Sequence, residues 1–221
     1  MEHGTLIQLS SLQSSTAPQP VLLSDIGNVL AFFDFGIAAR RVAGRSPFPE
    51  VALSARLDHI KGPFENGDMD DATFLREAVA ALQFQGSEAE FAEIWCDIFT
   101  ENTAMRRTLD PLAGRLPMRL LSNTSGLHKE HLLSAFGIFL PFGGGVYSYS
   151  ARCSKPGEEI FRKTIAQLGL DPALTFFVDD LEPNIATAAR LGFHTHHYQP
   201  ARHAAFERDF HAWLARAGIS A

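Results

Sequence analysis

Residues 22–34 read LLSDIGNVLAFFD, an apolar segment that runs into a single aspartate, Asp25, with a glycine, Gly27, two positions later. Short continuous apolar runs of this kind are typical of strands that are buried on both faces of a parallel sheet. In such sheets ligands bind outside the carboxyl ends of the strands. Asp25 is therefore the first candidate functional residue of the chain.

Other short apolar runs also end in polar or acidic residues and are interpreted as strands. Together with VLLSD at 21–25 they are MRLLSN at 118–123, TFFVDD at 175–180, HTHHY at 194–198 and the alternating segment GVYSYS at 145–150. Helical patterns lie between them, for example EEIFRKTIAQLGL, which Gly169 ends, and NIATAARLG, which Gly192 ends. This alternation predicts an α/β fold with a doubly wound, Rossmann-like parallel sheet as its core.

The stretch between the first two predicted strands breaks the alternation. It carries amphipathic helical segments such as ATFLREAVAALQF and FAEIWCDIF, but no comparable buried strand. We therefore expect an all-helical cap at 38–105, inserted after the first strand of a core formed by 21–37 and 106–221. Residues 1–20, rich in Ser, Gln and Pro, are predicted to be a flexible tail.

The composition excludes several classes of function. The 221 residues are 46% hydrophobic and 20% charged, as in soluble globular proteins. A net charge of −6 argues against a nucleic-acid partner, and no apolar run is long enough to cross a membrane. The start lacks the features of a signal peptide, and the two cysteines, Cys96 and Cys153, form no CxxC pair, so a cytoplasmic location is expected. Monomer and homodimer both remain open.

The polar residues at the predicted strand ends would meet at one edge of the sheet. They are Asp25, then Ser122, Asn123 and Thr124, then Asp179 and Asp180. Three carboxylates at one edge would repel each other without a cation, and Mg²⁺ is the hard, oxygen-preferring candidate. A carboxylate can also attack phosphorus and form an aspartyl-phosphate. Lys155, in the loop before a helix, is placed to offset charge on the phosphoryl oxygens.

These segments, in order, resemble the four motifs of the haloacid dehalogenase-like hydrolases. The resemblance covers about residues 21–200 and rests on DIGNVL at 25–30, SNT at 122–124, Lys155 with Pro156, and DDLEPN at 179–184. Within that family, the branch that it resembles includes sugar-phosphate phosphatases and the N-terminal phosphatase domain of soluble epoxide hydrolases. FENGDMDDATF at 64–74 looks like a stretch common in the helical caps of these enzymes.

The resemblance implies a function and a role for each residue. The function is a Mg²⁺-dependent phosphatase that hydrolyses a small phosphorylated metabolite, such as a sugar phosphate. Asp25 would be the nucleophile and a metal ligand, and Gly27 would offer its backbone carbonyl to the metal. Asp180 would ligate Mg²⁺ directly and Asp179 through water or a hydrogen bond. The transferring phosphoryl group would be bound by three residues, Ser122, Asn123 and Lys155, and Lys155 would also hold the nucleophile.

One position departs from the family pattern. Most phosphatases of this family carry an aspartate two residues after the nucleophile as general acid and base, whereas this chain has Gly27. General acid–base catalysis is typically worth about 10²–10⁴ in rate. Either the substrate has an easily departing leaving group, as in anomeric or acyl phosphates, or another acid substitutes. The candidate substitutes are Asp34, Glu65, Asp68, Asp70 and Asp71.

Several alternatives stay open from the sequence. The chain could be a catalytically weak or inactive binding or regulatory module on the same fold, with Gly27 marking the lost activity. It could be a metal-independent haloacid dehalogenase, which would leave the Asp179 and Asp180 pair unexplained. The histidines at 194–197, and His128 with His131, raise the question of a zinc site, although no third ligand is evident. Cys153 could be reactive, but it has no obvious histidine base.

Overall fold

The computed structural model describes residues 19–220. Most of the predicted tail 1–20 thus lies outside the described residues. The strands are β1 (Val21–Ser24), β2 (Ala31–Phe33), β3 (Phe99–Glu101), β4 (Met118–Ser122), β5 (Phe142–Tyr147), β6 (Thr175–Asp179) and β7 (His194–His197). The α-helices are α1 (Phe35–Ala43), α2 (Glu50–Glu65), α3 (Asp71–Ala81), α4 (Glu88–Cys96), α5 (Thr103–Leu109), α6 (Gly126–Ala135), α7 (Ser148–Ala151), α8 (Glu158–Leu168), α9 (Glu182–Arg190) and α10 (His203–Arg216).

Five of the strands form one parallel sheet in the order β5-β4-β1-β6-β7. β1 lies at its centre and pairs with β4 on one side and β6 on the other. All four residues of β1 and all five of β6 are buried, as their continuous apolar sequences predict. The sheet and the helices around it confirm the predicted doubly wound α/β core.

Successive side chains of β1 enter different apolar clusters on the two faces of the sheet. Leu22 belongs to the cluster that contains Phe206 and Phe210 of α10, whereas Leu23 belongs to the cluster that contains Phe161 of α8. Both leucines are fully buried. Covering both faces with helices leaves the carboxyl ends of the strands as the open edge where polar groups can gather.

Helices α1–α4 occupy residues 35–96, between β1 and β4. They enclose an apolar cluster of their own, built around Phe64, Phe74, Phe91 and Trp95. We call residues 35–96 the helical insertion. The next helix packs differently, since Met105 and Leu109 of α5 lie in the cluster of the sheet. The cap boundaries of 38 and 105 remain a prediction.

Two predictions about strands were wrong in detail. The segment 145–150 is not a strand throughout, because β5 ends at Tyr147 and the next four residues form the short helix α7. The sequence also gave no sign of the two-stranded antiparallel sheet that β2 and β3 form at the base of the insertion. These strands have only three residues each, too few for an alternating pattern to be recognised. Within residues 19–220, no helix is both long and apolar enough to cross a membrane.

Candidate active site

The central strands bring the predicted polar residues to one edge of the sheet. Asp25 directly follows β1, while Ser122 ends β4 and Asp179 ends β6. Because β4 and β6 flank β1, these side chains come from three adjacent strands. The peptide N–H of Asp25 still donates to the Val178 carbonyl at 3.0 Å, which fixes its backbone to the sheet. Lys155 joins them from the loop between α7 and α8.

The ammonium group of Lys155 connects the two most buried carboxylates of the site. Its Nζ lies 2.9 Å from Asp25 Oδ1 and 2.6 Å from Asp179 Oδ2, and it donates to the Leu121 carbonyl at 2.9 Å. Three acceptors thus match the three N–H donors of the ammonium. The side chain of Lys155 is 1% exposed and that of Asp179 is 0% exposed. A buried charge with this full set of partners is held in a single position.

Burial and charge act in opposite directions on these groups. Burial on its own would lower the pKa of Lys155, but the neighbouring carboxylates of Asp25 and Asp179 raise it overall, so the ammonium stays charged. Burial raises the pKa of Asp25 above its usual range, Lys155 counteracts part of that rise, and Asp179 adds to it. Asp25 is therefore a desolvated carboxylate whose only close cation within residues 19–220 is Lys155.

Asn123 fixes the loop that carries Lys155. Its side-chain Nδ2 donates to the Lys155 carbonyl at 2.9 Å, and its Oδ1 accepts from the Lys155 N–H at 2.9 Å. Both ends of the side-chain amide are thus bonded to the Lys155 backbone. Ser122 differs, because its hydroxyl has no hydrogen-bond partner within the described residues although the residue is only 3% exposed.

One carboxylate oxygen each from Asp25, Asp179 and Asp180 lie within 4.8 Å of one another. The two oxygens of Asp179 are both occupied, since Oδ2 contacts Lys155 while Oδ1 accepts from the Leu181 N–H at 2.9 Å and from Asn184 Nδ2 at 2.8 Å. The Asp180 carboxylate has fewer hydrogen-bond partners than that of Asp179, since its Oδ2 accepts one hydrogen bond, from Asn28 Nδ2 at 3.0 Å. Asp180 is therefore freer to bind a cation than Asp179.

The turn after Asp25 supplies a backbone carbonyl and a side-chain anchor. Across residues 19–220, no N–H donates to the Gly27 carbonyl. Asn28 has a left-handed backbone, with a φ of 54°. A Cβ atom added at Gly27 would lie 3.1 Å from Cε1 of Phe33, so an aromatic ring occupies the space beside the glycine.

The helical insertion meets the core next to this edge. Ser148 Oγ donates to the Glu65 carbonyl at 2.7 Å and accepts from the Thr124 N–H at 3.0 Å. Gly67 is packed so closely on the Tyr149 carbonyl that an added Cβ would lie 1.7 Å from its oxygen. The His128 ring stacks on the Trp95 ring, with 5.6 Å between the ring centroids. We call these contacts, between residues 65–71 and 95 of the insertion and residues 124–128 and 148–154 of the core, the insertion–core seam.

Among the described residues, 19–220, the histidines and cysteines form no group of three potential metal ligands. The three aspartates are the only group of three potential ligands found within residues 19–220. His128 is buried against the Trp95 carbonyl, His196 pairs with Asp209, and His197 contacts the Asp180 carbonyl. Both cysteines are free thiols, and burial raises the pKa of Cys96 to about 11.

The family model for haloacid dehalogenase-like hydrolases matches residues 26–192, well over half of the chain. The chain belongs to this family. The predicted resemblance is thereby confirmed, and the protein is a hydrolase of the haloacid dehalogenase-like (HAD) type. No curated protein sequence matches the chain significantly.

Solved structures of HAD enzymes share this fold. A HAD family enzyme from Bacteroides thetaiotaomicron, solved as a magnesium complex, has a TM-score of 0.73 and 25% identity over 83% of this chain and 95% of its own. A HAD-like hydrolase from Porphyromonas gingivalis has a TM-score of 0.66 and 25% identity over 81% of this chain and 91% of its own. The L-2-haloacid dehalogenase of Xanthobacter autotrophicus, at 17% identity and a TM-score of 0.58 over 80% of this chain and 76% of its own, shares the fold alone.

Sequence reasoning placed the HAD motif residues but missed two supporting contacts. Asn28 was noted as part of a motif without a role, and the structure pairs it with Asp180, which is 152 residues away. Ser148 lies in a segment predicted to be a strand, but it begins α7 and joins the insertion to the segment after β4. The left-handed backbone of Asn28 is compatible with its residue type, since asparagine is enriched at positive φ, but sequence alone could not show its partner.

Proposed function

We propose that this HAD hydrolase is a Mg²⁺-dependent phosphatase that acts on a small phosphorylated metabolite, such as a sugar phosphate, through an aspartyl-phosphate on Asp25. The observation that carries the proposal is the position of the Lys155 ammonium, which bridges Asp25 and Asp179 beside a third carboxylate, Asp180. A buried carboxylate held by a fixed cation is a suitable nucleophile for a group that is itself anionic.

The residues at this edge fit a Mg²⁺ ion. Asp25, Asp180 and the uncommitted Gly27 carbonyl would hold it, and all are the oxygen ligands that Mg²⁺ prefers. Asp179 would act indirectly, because both of its oxygens are already bonded. When bound, the ion would neutralise charge on the phosphoryl oxygens. In support, the Bacteroides thetaiotaomicron enzyme was also solved in complex with magnesium and inorganic phosphate, at a TM-score of 0.71.

The chain's own residues would then handle the phosphoryl group. The hydroxyl of Ser122 is free to donate to a phosphoryl oxygen. Because the Asn123 side chain is occupied by Lys155, its contribution would come from the backbone N–H. Lys155 would keep Asp25 aligned for attack and share its charge with the phosphoryl oxygens as they move towards it.

The test is hydrolysis of p-nitrophenyl phosphate with Mg²⁺ and with EDTA, by the wild-type protein and by Asp25→Asn. This leaving group needs little protonation, so Gly27 does not prevent its departure. We expect Mg²⁺-dependent turnover that Asp25→Asn abolishes. The matched control is Asp58→Asn on the exposed side of α2, which should keep full activity.

The remaining functions give different results in the same assay. No turnover above background by the wild-type protein would indicate a binding or regulatory module. Turnover that survives EDTA would contradict the metal assignment. Chloride release from 2-chloropropionate without phosphatase activity would indicate a haloacid dehalogenase, in which Asp25 attacks carbon.

A further inference from the structure

Gly27 leaves the proposed phosphatase without the usual proton donor at that position. The adjacent space does not hold a substitute acid either, because the Phe33 ring lies there. Phe33 in turn contacts Phe35 and Phe99 edge to face, so this side of the site is aromatic. A leaving group that needs a proton must therefore take it from another residue, and the insertion contacts the segment that follows β4.

Three of the five candidate acids are occupied or remote. Asp34 caps α1 by accepting from the Gly36 N–H at 2.8 Å. Asp70 caps α3 by accepting from the Thr73 N–H at 2.7 Å, and hydrogen bonds from Thr73 lower its pKa. Asp68 is exposed in the loop between α2 and α3, and its side chain makes no hydrogen bond or ion pair within residues 19–220. None of them is placed to protonate a leaving group.

Asp71 lies at the seam but already has a structural role. Its carboxylate oxygens lie so close to Gly126 that an added Cβ there would be 2.7 Å from Oδ2. It also accepts a hydrogen bond from the Leu127 N–H in the first turn of α6. This carboxylate therefore ties the insertion to a helix N-terminus, where a negative charge is favoured.

Glu65 combines a fixed position with an uncommitted carboxyl group. It is the last residue of α2, and its carbonyl is bonded by Ser148 Oγ, which also bonds the Thr124 N–H. Thr124 is the next residue after the proposed phosphoryl-binding pair Ser122 and Asn123. Within residues 19–220, the carboxyl group of Glu65 has no hydrogen-bond or ion-pair partner. Ser148 thus connects the Glu65 backbone to the residue that follows Ser122 and Asn123, while the Glu65 carboxyl group remains free to act.

We propose that Glu65 is the proton donor that replaces the missing aspartate, an assignment that rests on the proposed phosphatase function. As Asp25 attacks phosphorus and the ester P–O bond breaks, its electron pair stays on the leaving oxygen. Glu65 transfers its proton to that oxygen, which departs as an alcohol and leaves a Glu65 carboxylate.

The second half-reaction restores both groups. The Glu65 carboxylate takes a proton from the water that attacks the phosphorus of the aspartyl-phosphate. The bond between phosphorus and Asp25 breaks, inorganic phosphate is released, and Glu65 returns to its protonated form. One residue thus acts first as acid and then as base, with no net change in protons.

The surroundings of Glu65 favour the form that can donate a proton. The Glu65 side chain keeps contact with solvent. Desolvation by the surrounding protein nevertheless raises its pKa above the usual range. Lys61, one turn earlier on α2, offsets only part of that rise. A raised pKa brings a glutamate closer to neutral pH, where a general acid is most effective.

The experiment compares two substrates in the wild-type protein and in Glu65→Gln. For β-glycerophosphate, whose alkoxide leaving group needs a proton, kcat/KM should fall by about 10²-fold or more in Glu65→Gln. For p-nitrophenyl phosphate it should stay within about threefold, because that leaving group departs without help. Asp68→Asn removes one charge from the neighbouring exposed loop and should change neither rate.

A pH profile provides a second measurement. A general acid must be protonated, so the wild-type rate on β-glycerophosphate should fall as pH rises through the pKa of Glu65, and Glu65→Gln should lose that alkaline limb. An equal loss on both substrates would overturn the assignment, as would a wild-type protein active on p-nitrophenyl phosphate alone. A wild-type protein inactive on both, or activity that survives in Asp25→Asn, would instead overturn the proposed phosphatase function.

Discussion

The carboxyl edge of the sheet and the insertion–core seam lie next to each other but are built from different interactions. At the edge, Lys155 and Asp179 are almost fully buried, and the Lys155 ammonium pairs with the carboxylates of both Asp25 and Asp179. At the seam, the closest contacts involve backbone carbonyls, such as those of Glu65 and Tyr149. The edge is thus fixed by charge in a desolvated setting, whereas the seam depends on close packing and a few hydrogen bonds.

This difference assigns different roles to the two regions, a rigid ion network to the edge and a separable contact surface to the seam. Buried charges lose much free energy when one partner is removed, so the edge should tolerate no change in its ion network. A seam of backbone contacts can separate and re-form at lower cost, which suits a surface that must admit a substrate and release a product. Variants at the edge should therefore have larger effects than variants at the seam.

The largest effect is expected for Lys155→Met. Removal of the ammonium leaves Asp25 and Asp179 buried without their cation, which should lower the free energy of unfolding by about 3–5 kcal/mol. Urea unfolding in EDTA measures this decrease in the free energy of unfolding. The activity of Lys155→Met should be lost as well. Lys163→Met, which removes an exposed lysine paired with Glu159, should cost at most about 1 kcal/mol. Similar losses in the two variants would contradict a central ion network.

The next effect concerns the anchor of Asp180. Asn28→Gly removes the hydrogen bond to Asp180 while glycine accepts the φ of 54° without strain. The Mg²⁺ concentration for half-maximal activity should rise by about 10–100-fold. Gln83→Gly, at an exposed residue with a φ of 46°, controls for the change in backbone freedom. If both variants need the same Mg²⁺ as the wild type, Asn28 does not position a metal ligand.

At the seam, His128 should make stability depend on pH. Burial lowers its pKa to about 4, so it is neutral in the folded state, whereas in the unfolded chain it binds a proton near pH 6.5. Stability is therefore lost as pH falls, by about 2 kcal/mol between pH 7 and pH 5. Urea unfolding at both pH values should show that this loss of stability is absent in His128→Gln. His194→Gln, a substitution at an exposed position, should lose as much stability as the wild type. An unchanged pH dependence in His128→Gln would exclude this origin.

The smallest effect is expected for Gly67→Ala. The added methyl would lie 1.7 Å from the Tyr149 carbonyl oxygen, so the insertion must move away from the core. We expect kcat/KM to fall about tenfold, since contacts that close over a site act on turnover. Gly114→Ala shares the positive φ, 74° against 77°, but its Cβ meets no atom within 4 Å. Steady-state kinetics of the two variants separates the effect of the clash at the seam from the effect of backbone strain. Equal kcat/KM values for Gly67→Ala and Gly114→Ala would show that turnover does not require the seam to close.

The edge was far more predictable from sequence than the seam. Asp25, Ser122 and Asp179 each follow a short apolar run, and the rule that parallel strands end at one edge brings them together without further information. Long-range contacts such as Asn28 with Asp180, or Ser148 with Glu65, depend on how segments pack in three dimensions, and no local pattern encodes them. The hydrogen bonds between the Asn123 side chain and the Lys155 backbone could not be predicted for the same reason.

The proposed aspartyl-phosphate on Asp25 can be detected directly from the mass of the protein. The protein is quenched rapidly with acid during turnover of p-nitrophenyl phosphate with Mg²⁺. We expect a fraction of the protein to be heavier by one phosphoryl group, which fragmentation locates to the peptide that contains Asp25 and which is absent in Asp25→Asn. A phosphoryl group on any other residue would contradict it. So would active turnover in which no phosphorylated protein forms under conditions that slow its hydrolysis.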